Sequence, residues 1–299
     1  MTARGIMYLT EDSWLVRFWD TLQAAFVGSY QHNCFAIAKG AAYSGLLSFF
    51  PIITTVATLL VQAKAEAVSR TITTFLYEVV PPGADEVVRT LFVVHGQRPT
   101  MLLVAAIVLA AWGASGVLVS LMEGFRATWQ IRDGPSFLKE RATALTLVFL
   151  TVVPVWGATG LVILGARGQQ FVLARLPLLS DGAYLSGWVM LAGSMLRYGI
   201  AFCCVSSATA LVYYFGTNRK QSLRLVFPGA LLATVLWFLA TSLFAWYVRH
   251  VSNYNVLYGS VGAGLALLVW MYVLAVIMLF GCEFNAARES FRAALLQSV

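Results

Sequence analysis

The sequence predicts an all-α polytopic membrane protein with six transmembrane helices. Hydrophobic residues make up 60% of its 299 residues and charged residues only 11%. In soluble domains, about 45–50% of the residues are hydrophobic and about 25% are charged. It also contains six apolar runs, each long enough to cross the hydrocarbon core of a bilayer as a helix of about 20 residues. No soluble core needs this much apolar sequence, so the excess is expected to face lipid or other buried helices.

The six predicted spans lie at 38–62, 101–122, 143–166, 188–215, 227–249 and 258–282. The fourth is longer than a span needs, and a tilted helix would accommodate it. We expect one membrane domain over residues 1–299, with a cytoplasmic segment 1–34, a six-helix bundle 38–282 and a cytoplasmic tail 283–299. No cleavable signal peptide is expected, because charged residues interrupt the first 33 positions; these are Glu11, Asp12, Arg17 and Asp20.

Ahead of the first span, apolar residues recur at helical spacing: Trp14, Leu15, Phe18, Trp19, Leu22, Ala25 and Phe26. This pattern predicts an amphipathic helix in the membrane interface, with its tryptophans at headgroup depth. A helix packed against the bundle is an equal alternative.

The longest external segment, 63–99, contains two further amphipathic stripes separated by Pro81-Pro82-Gly83, a helix stop and turn. They predict two short helices that cap the bundle or dip into the outer leaflet.

The distribution of basic residues predicts the orientation of the chain. With the N-terminus inside, twelve Lys and Arg residues fall on the cytoplasmic side and seven on the other. Loop 216–226 carries Arg219, Lys220 and Arg224 without an acid. Both termini are therefore expected in the cytoplasm and the chain in the bacterial inner membrane. This bias accounts for the net charge of +7, and because the basic residues form no stripe with interleaved aromatics, no nucleic-acid partner is expected.

Catalytic and metal-binding patterns are missing from the sequence. The cysteines Cys34, Cys203, Cys204 and Cys282 form no zinc or disulfide pattern and are interpreted as buried apolar residues. In the predicted topology His32 lies inside, and His95 and His250 lie outside, so the three cannot share a metal. No phosphate-binding loop, metalloprotease or nucleophile motif occurs. We expect no metal, no cofactor and no enzymatic activity.

Charged residues at the spans are the first candidate site residues. Arg197 lies near the middle of the fourth run, where a charge costs roughly 3 kcal/mol or more. It would contact an anionic headgroup or substrate, or pair structurally with a carboxylate or helix-end carbonyls. Lys39 lies at the start of the first span, and Glu283 lies at the end of the sixth. They would form a structural salt bridge, with each other or with loop charges, or act as a gate.

Pro51 and Pro154 interrupt the first and third spans. Each removes a backbone hydrogen bond, and broken helices can mark transport sites, although packing kinks are commoner. Small residues recur at 113–116, at Gly157 and Gly160, and at 259–264. They permit close helix contacts or an oligomer interface.

Several motifs resemble the YihY/BrkB family of membrane proteins over about residues 15–290. They are the string Ala42-Tyr43-Ser44-Gly45-Leu46-Leu47-Ser48-Phe49-Phe50-Pro51, the elements Asn218-Arg219-Lys220 and Pro228-Gly229-Ala230, the signature Ser252-Asn253-Tyr254-Asn255 with Tyr258-Gly259-Ser260-Val261-Gly262, and the closing Trp270, Tyr272, Gly281, Glu283 and Asn285. Ser44 replaces a usual aromatic residue and Lys39 a usual alanine. These two departures would alter a polar lining in the first helix.

The resemblance implies a six-helix integral membrane protein with cytoplasmic termini. The family has carried the label ribonuclease BN, but this chain lacks the metal-binding clusters of such an enzyme. Members have been linked to virulence, to serum resistance and to the movement of lipid or lipopolysaccharide precursors.

We therefore expect a transporter or flippase-like protein for an anionic lipid, glycolipid or other amphiphile. Arg197, the proline-containing spans and a rim of Asn253, Tyr254, Asn255 and Tyr258 would form its path, with Tyr43, Ser44, Glu283 and Asn285 as further candidates. The alternative is a scaffold that docks envelope-assembly proteins through 63–99 or 123–142, and a membrane-bound nuclease is the third. Membrane lipids and a second copy of the chain are the other expected partners.

Overall fold

The computed structural model describes residues 14–62, 100–175, 183–219, 221–250 and 259–297. These residues form seven α-helices and no strand. The helices are Trp14–Gln31 (α1), Cys34–Gln62 (α2), Thr100–Thr128 (α3), Phe137–Arg175 (α4), Ala183–Gly216 (α5), Leu223–His250 (α6) and Gly259–Gln297 (α7). The all-α prediction is confirmed.

Helices α2 to α7 are each long and apolar enough to cross a membrane. Their apolar stretches are Cys34–Val56, Leu103–Thr128, Phe137–Val162, Leu191–Gly216, Leu223–Tyr247 and Gly264–Ala294. Large apolar side chains such as Trp112, Phe149 and Trp188 are exposed on their outer faces, which suits a surface covered by lipid. The prediction of six spans is confirmed.

Helix α1 packs on the outside of the bundle against α7 and, over fewer residues, α2. Its inner face buries Ala25, and the ring of Phe18 lies 5.6 Å from the ring of Phe284. Its outer face exposes Trp19, Phe26 and Tyr30. The helix and its contact with the bundle are thus observed. Placement of the outer face in the membrane interface stays a prediction.

Helix α7 occupies the centre of the bundle and contacts α1, α2, α3 and α6, while α2 pairs with α3 and α4 pairs with α5. One buried cluster joins the six spanning helices, and its members include Cys34, Phe125, Ala144, Tyr213, Ala230 and Leu279. The cluster lies where α2, α4 and α6 start and where α3 and α5 end. We call this end of the bundle the predicted cytoplasmic end.

All six spanning helices extend beyond the predicted spans at one or both ends, α7 and α4 by the most residues. Helix α7 continues through 282 to Gln297, so the described part of the tail is helical. In this extension, Glu289 Oε1 lies 2.5 Å from Nη2 of Arg219, which follows α5. Helix α4 begins at Phe137, six residues before the predicted span. The two short helices predicted in 63–99 lie outside the described residues.

Candidate functional site

A buried carboxylate, Glu283, is the centre of a polar cluster at the predicted cytoplasmic end. Its Oε1 lies 2.8 Å from His32 Nδ1 and 2.8 Å from Thr128 Oγ1, and the Cys34 thiol donates to it over 3.5 Å. The Glu283 side chain is 4% exposed. A buried carboxylate is costly unless hydrogen bonds satisfy it. Its partners come from α2, from the end of α3 and from the turn between α1 and α2.

The corner between α1 and α2 places two of these donors beside the carboxylate. Asn33 adopts the left-handed conformation with φ of 56°, which asparagine tolerates better than most residues. Its carbonyl accepts from the backbone N–H groups of Ala36 and Ile37 at the start of α2. The chain therefore reverses within two residues, and His32 and Cys34 both face α7.

The cluster leaves no space for a side chain at Gly28 of α1. A Cβ at this position would lie 2.6 Å from Glu283 Oε2. The close approach of α1 to α7 therefore depends on a glycine at position 28. Helix α1 shields the Glu283 carboxylate from one side.

The expected pair between Lys39 and Glu283 does not form. Lys39 is exposed, and within the described part of the chain the basic side chain that contacts Glu283 is His32. Lys39 lies one and a half turns after Cys34 on α2, and this rotation points it away from α7. The partner of Glu283 is thus a residue of the turn between α1 and α2 and not Lys39.

Asn285 connects α7 to the start of α6 around Pro228. Its Oδ1 accepts the backbone N–H of Gly229 over 2.7 Å, and its Nδ2 donates to the Val226 carbonyl over 2.9 Å. Pro228 lies inside α6 and has no N–H. The buried amide thus satisfies backbone groups next to this proline, and the geometry gives Asn285 a structural role.

The backbones of α6 and α7 touch at two glycines. A Cβ on Gly229 would collide with the carbonyl of Gly281, and a Cβ on Gly281 would lie 2.7 Å from the carbonyl of Gly229. Beside them, the Tyr213 hydroxyl donates to the Met278 carbonyl over 2.7 Å. The motif residues near the end of α7 therefore form a closely packed junction between α5, α6 and α7.

Arg197 lies inside the apolar stretch Leu191–Gly216 of α5 and contacts α4. Its Nη2 donates to Ser194 Oγ over 3.0 Å and its Nη1 to the Gly165 carbonyl over 3.5 Å. Gly165 follows the apolar stretch of α4, which ends at Val162, so the guanidinium lies toward the end of the bundle opposite the predicted cytoplasmic end. Its side chain passes over Gly165, where a Cβ would lie 2.6 Å from Arg197 Cδ.

Neither predicted proline break interrupts a helix. Pro51 lies within the continuous α2 and Pro154 within the continuous α4. The Thr55 hydroxyl donates to the Pro51 carbonyl over 2.8 Å, and the Thr151 hydroxyl donates to the Leu147 carbonyl over 2.7 Å. Helix continuity is expected, since loss of one ladder bond is tolerated where neighbouring helices pack. Transport through broken helices finds no support here.

Ser44 lies at a tight contact between α2 and α3. A Cβ on Gly113 would lie 2.5 Å from Ser48 Cβ, and one on Gly116 would lie 3.3 Å from Ser44 Oγ. The small residues at 113–116 therefore serve close packing, as predicted. Tyr43, beside Ser44, is 61% exposed and faces outward. No described residue approaches the Cβ positions of Gly157 and Gly160 within 4 Å, so these two do not pack a helix here.

A cavity of about 440 Å³ lies in the interior, and all six spanning helices line it. Its polar side chains are the hydroxyls of Ser48, Thr151 and Thr209 and the indole of Trp237 and Trp270; the rest are apolar. A second cavity of about 550 Å³ lies among α4, α5 and α6, beside Tyr198. Val155 and Val205 line both, so the two cavities adjoin.

Arg141 is a charged residue that precedes the third predicted span, 143–166. It lies in the second turn of α4, inside the apolar stretch Phe137–Val162. Its Nη2 donates to the Trp112 carbonyl over 3.1 Å, and its Cζ lies 4.1 Å from the centre of the Trp112 ring. Ser136 was the sequence signal for an earlier start of this helix, because serine is a preferred residue directly before a helix. The Ser136 carbonyl accepts the Glu140 N–H.

The rim residues Asn253, Tyr254, Asn255 and Tyr258 lie outside the described residues. Among residues that are described, no group of three or more His, Cys, Asp and Glu side chains is arranged to hold a metal ion.

Comparison with known proteins identifies relatives along most of the chain. The model of the family described as virulence factor BrkB matches residues 25–297. The putative ribonuclease-like protein YfkH of Bacillus subtilis is 29% identical over 82% of this chain and 86% of its own length.

UPF0761 membrane proteins are further relatives. That of Aromatoleum aromaticum is 24% identical over 89% of this chain, and one of Pseudomonas paraeruginosa is 25% identical over 86%. The match covers 63% and 61% of these two proteins, less than two thirds of their length. No solved structure matches the chain.

Proposed function

The chain belongs to the virulence factor BrkB family of membrane proteins, and on that premise we propose that it is a transporter or flippase-like protein for an anionic amphiphile. The substrate would be a lipid, a glycolipid or a similar molecule with a charged head and apolar chains. The protein would act in the bacterial inner membrane with both termini in the cytoplasm, as a component of envelope maintenance.

The observation that carries this proposal is the interior cavity of about 440 Å³. Its volume falls in the range of ligand pockets, about 300–1,000 Å³. Its apolar wall suits acyl chains, and the hydroxyls of Ser48, Thr151 and Thr209 suit the polar part of an amphiphile. Because the predicted cytoplasmic end is closely packed, the substrate would enter sideways from the bilayer.

The second cavity supports a lateral route. It adjoins the interior cavity at Val155 and Val205, and it is bordered by Tyr198, Phe238 and Leu239, which are 62%, 50% and 61% exposed. A lipid could therefore pass from the surface among α4, α5 and α6 toward the interior. Arg197, next to Tyr198, would hold the anionic group near the outer end while keeping its bonds to α4 and α5.

The distribution of charge supports the orientation. Basic residues on several elements lie at the end where α3, α5 and α7 finish their spans: Arg126, Arg132, Lys139, Arg219, Arg224, Arg288 and Arg292. Positive residues concentrate on the cytoplasmic side of inner-membrane proteins.

A scaffold that docks envelope-assembly proteins is the second candidate. It is favoured by Phe137 and Leu138, which follow the loop after α3 and are 69% and 78% exposed. Two adjacent exposed apolar residues at a helix start suit either a partner surface or the interface. Crosslinking in native membranes from Phe137 would capture a second protein if this candidate is correct.

The word ribonuclease-like in the name of YfkH describes that relative, and we propose no enzymatic role for this chain. Incubation of the purified protein with labelled RNA tests this directly. RNA turnover that a heat-treated sample lacks would contradict the proposal.

Movement of fluorescent phosphatidylglycerol between leaflets of proteoliposomes tests the transport proposal. Val205→Trp should slow movement strongly because the indole fills the place where the cavities adjoin. Val104→Trp is the matched control, since Val104 is 55% exposed on α3 and borders neither cavity. Rates equal to those of protein-free vesicles would refute transport, and equal rates for both variants would refute this route.

Arg197→Gln should slow the movement of phosphatidylglycerol more than that of phosphatidylcholine, because the substitution removes a cation that favours a net negative headgroup. Arg197→Lys, which keeps the charge, is the control. Equal slowing of both lipids by Arg197→Gln would indicate a structural role only.

A further inference from the structure

Arg141 is a cation within the apolar part of the bundle whose hydrogen-bonding groups are mostly unused. A guanidinium has five N–H donors and always carries a charge. In the described part of the chain, Arg141 makes one hydrogen bond, to the Trp112 carbonyl, and its Nε is buried without a partner. The adjacent acid cannot neutralise it, since Glu140 Oε1 lies 2.6 Å from Arg126 Nη1.

The surroundings fix the orientation of the guanidinium. One face lies on the Trp112 ring, at 4.1 Å from Cζ to the ring centre, a stable cation–π arrangement. A Cβ on Gly116 would lie 3.3 Å from Ser44 Oγ and 3.8 Å from Arg141 Nη1. The Ser44 hydroxyl and the Arg141 guanidinium are therefore neighbours of the same glycine on α3.

Arg141 and Ser44 are partly exposed, beside side chains on the outer surface of the bundle. Trp112 is 55% exposed, and Tyr43, the neighbour of Ser44, is 61% exposed. Trp112 lies well within the apolar stretch Leu103–Thr128 of α3. A cation at this depth is costly unless it meets an anion or water, and the planar guanidinium fork matches the oxygens of a phosphate group.

We propose that Arg141, Trp112 and Ser44 form a binding site for a phosphate group, carried by a membrane lipid or present as free phosphate. The Arg141 fork donates to the phosphate oxygens, Trp112 holds the fork in place, and the Ser44 hydroxyl donates a further hydrogen bond. The site rests on the proposed function, because the phosphate would be the charged group of the transported amphiphile. The site lies on α2, α3 and α4, apart from Arg197.

Titration of the purified full-length protein in detergent tests the site. The probes are dioctanoyl phosphatidylglycerol, inorganic phosphate and dioctanoyl glycerol, which has the same chains without phosphate. Isothermal calorimetry should show binding of a phosphate-bearing probe and none of dioctanoyl glycerol. Arg141→Gln should weaken that binding about tenfold or more, the effect of losing charge-assisted hydrogen bonds. Binding of phosphatidylglycerol alone identifies a lipid headgroup, and binding of inorganic phosphate with equal affinity identifies a free anion.

Two variants control the titration. Arg132→Gln removes the same charge from an exposed loop position and should leave the affinity unchanged. Arg141→Lys keeps the charge but not the fork, and should give intermediate affinity; it also serves if Arg141→Gln does not fold. Equal weakening by Arg132→Gln and Arg141→Gln, or binding of neither phosphate probe by the wild type, would overturn the site.

The titration and the leaflet assay can fail separately. Binding that depends on Arg141, in a protein that moves no lipid, would refute transport and keep the site. Lipid movement by a protein in which Arg141→Gln binds like wild type would refute the site and keep transport.

Discussion

The Nδ1 of His32 lies 2.8 Å from the Oε1 of Glu283, although 251 positions separate the two residues in sequence. This contact joins the helix that precedes the first span to the end of the last one. It ties α1 to α7 while Thr128 and Cys34 bring α3 and α2 to the same carboxylate. One buried side chain therefore holds four helices together at the predicted cytoplasmic end.

Removal of the Glu283 carboxylate should destabilise the protein. Glu283→Ala leaves His32, Thr128 and Cys34 without their acceptor, and breaking a buried pair costs on the order of 3 kcal/mol. The melting temperature in detergent, followed by size-exclusion chromatography, should fall clearly. Glu289→Ala is the control, because its partly exposed pair with Arg219 contributes about 1 kcal/mol or less. Equal melting temperatures for the two variants would contradict the central role of Glu283.

Asn285→Asp should keep one of the two hydrogen bonds of Asn285 and remove the other. The carboxylate still accepts the Gly229 N–H but faces the Val226 carbonyl without a donor, so about 1–3 kcal/mol of stability should be lost. Asn285→Leu should lose both bonds and more stability. Ser290→Ala, which removes an exposed hydroxyl bonded within its own helix, is the matched control. A melting temperature of Asn285→Asp equal to that of wild type would show that the bond to Val226 contributes nothing.

Two glycine-to-alanine substitutions should have opposite effects. Gly229→Ala forces a methyl group against the Gly281 carbonyl, and such overpacking costs about 1–3 kcal/mol. Gly157→Ala meets open space among the described residues, and should be neutral or gain up to about 1 kcal/mol from helix propensity. Thermal melts of both variants in the same detergent measure the difference. A loss for Gly157→Ala as large as that for Gly229→Ala would point to a partner on α4, such as a second copy of the chain.

Single introduced cysteines should report the orientation. Ser290→Cys near the end of α7 should react with a membrane-impermeant maleimide only after the cells are permeabilised, because the positive-inside bias places this end in the cytoplasm. Ala84→Cys, in the predicted external segment 63–99, should react in intact cells. The wild-type chain, with its own four cysteines, provides the background. Reaction of Ser290→Cys in intact cells would reverse the proposed topology.

The sequence predicted the candidate site less completely than the fold. It pointed to Glu283 because a carboxylate closes the sixth span, and the family motif pointed to Asn285. It expected Glu283 to pair with Lys39 or with loop charges. It placed Arg197 inside the fourth span, which agrees with the apolar stretch Leu191–Gly216, but it did not indicate the contacts of Arg197 with Ser194 and Gly165. It passed over Arg141 because the third span was expected to start at 143.

What the sequence alone determined is the number of spanning helices, the helix before them and the charge bias between the two sides. These depend on composition and on runs of about 20 residues, which are local properties. Only the tertiary structure decided that Glu283 meets His32, that Arg141 lies on Trp112, that α2 and α4 continue through their prolines and that two cavities adjoin at Val155 and Val205. Lipid and neighbouring helices are almost equally apolar, so hydropathy does not encode which face of a helix turns inward. Helix rotation and register, set by close contacts such as Gly229 with Gly281, determine those pairings.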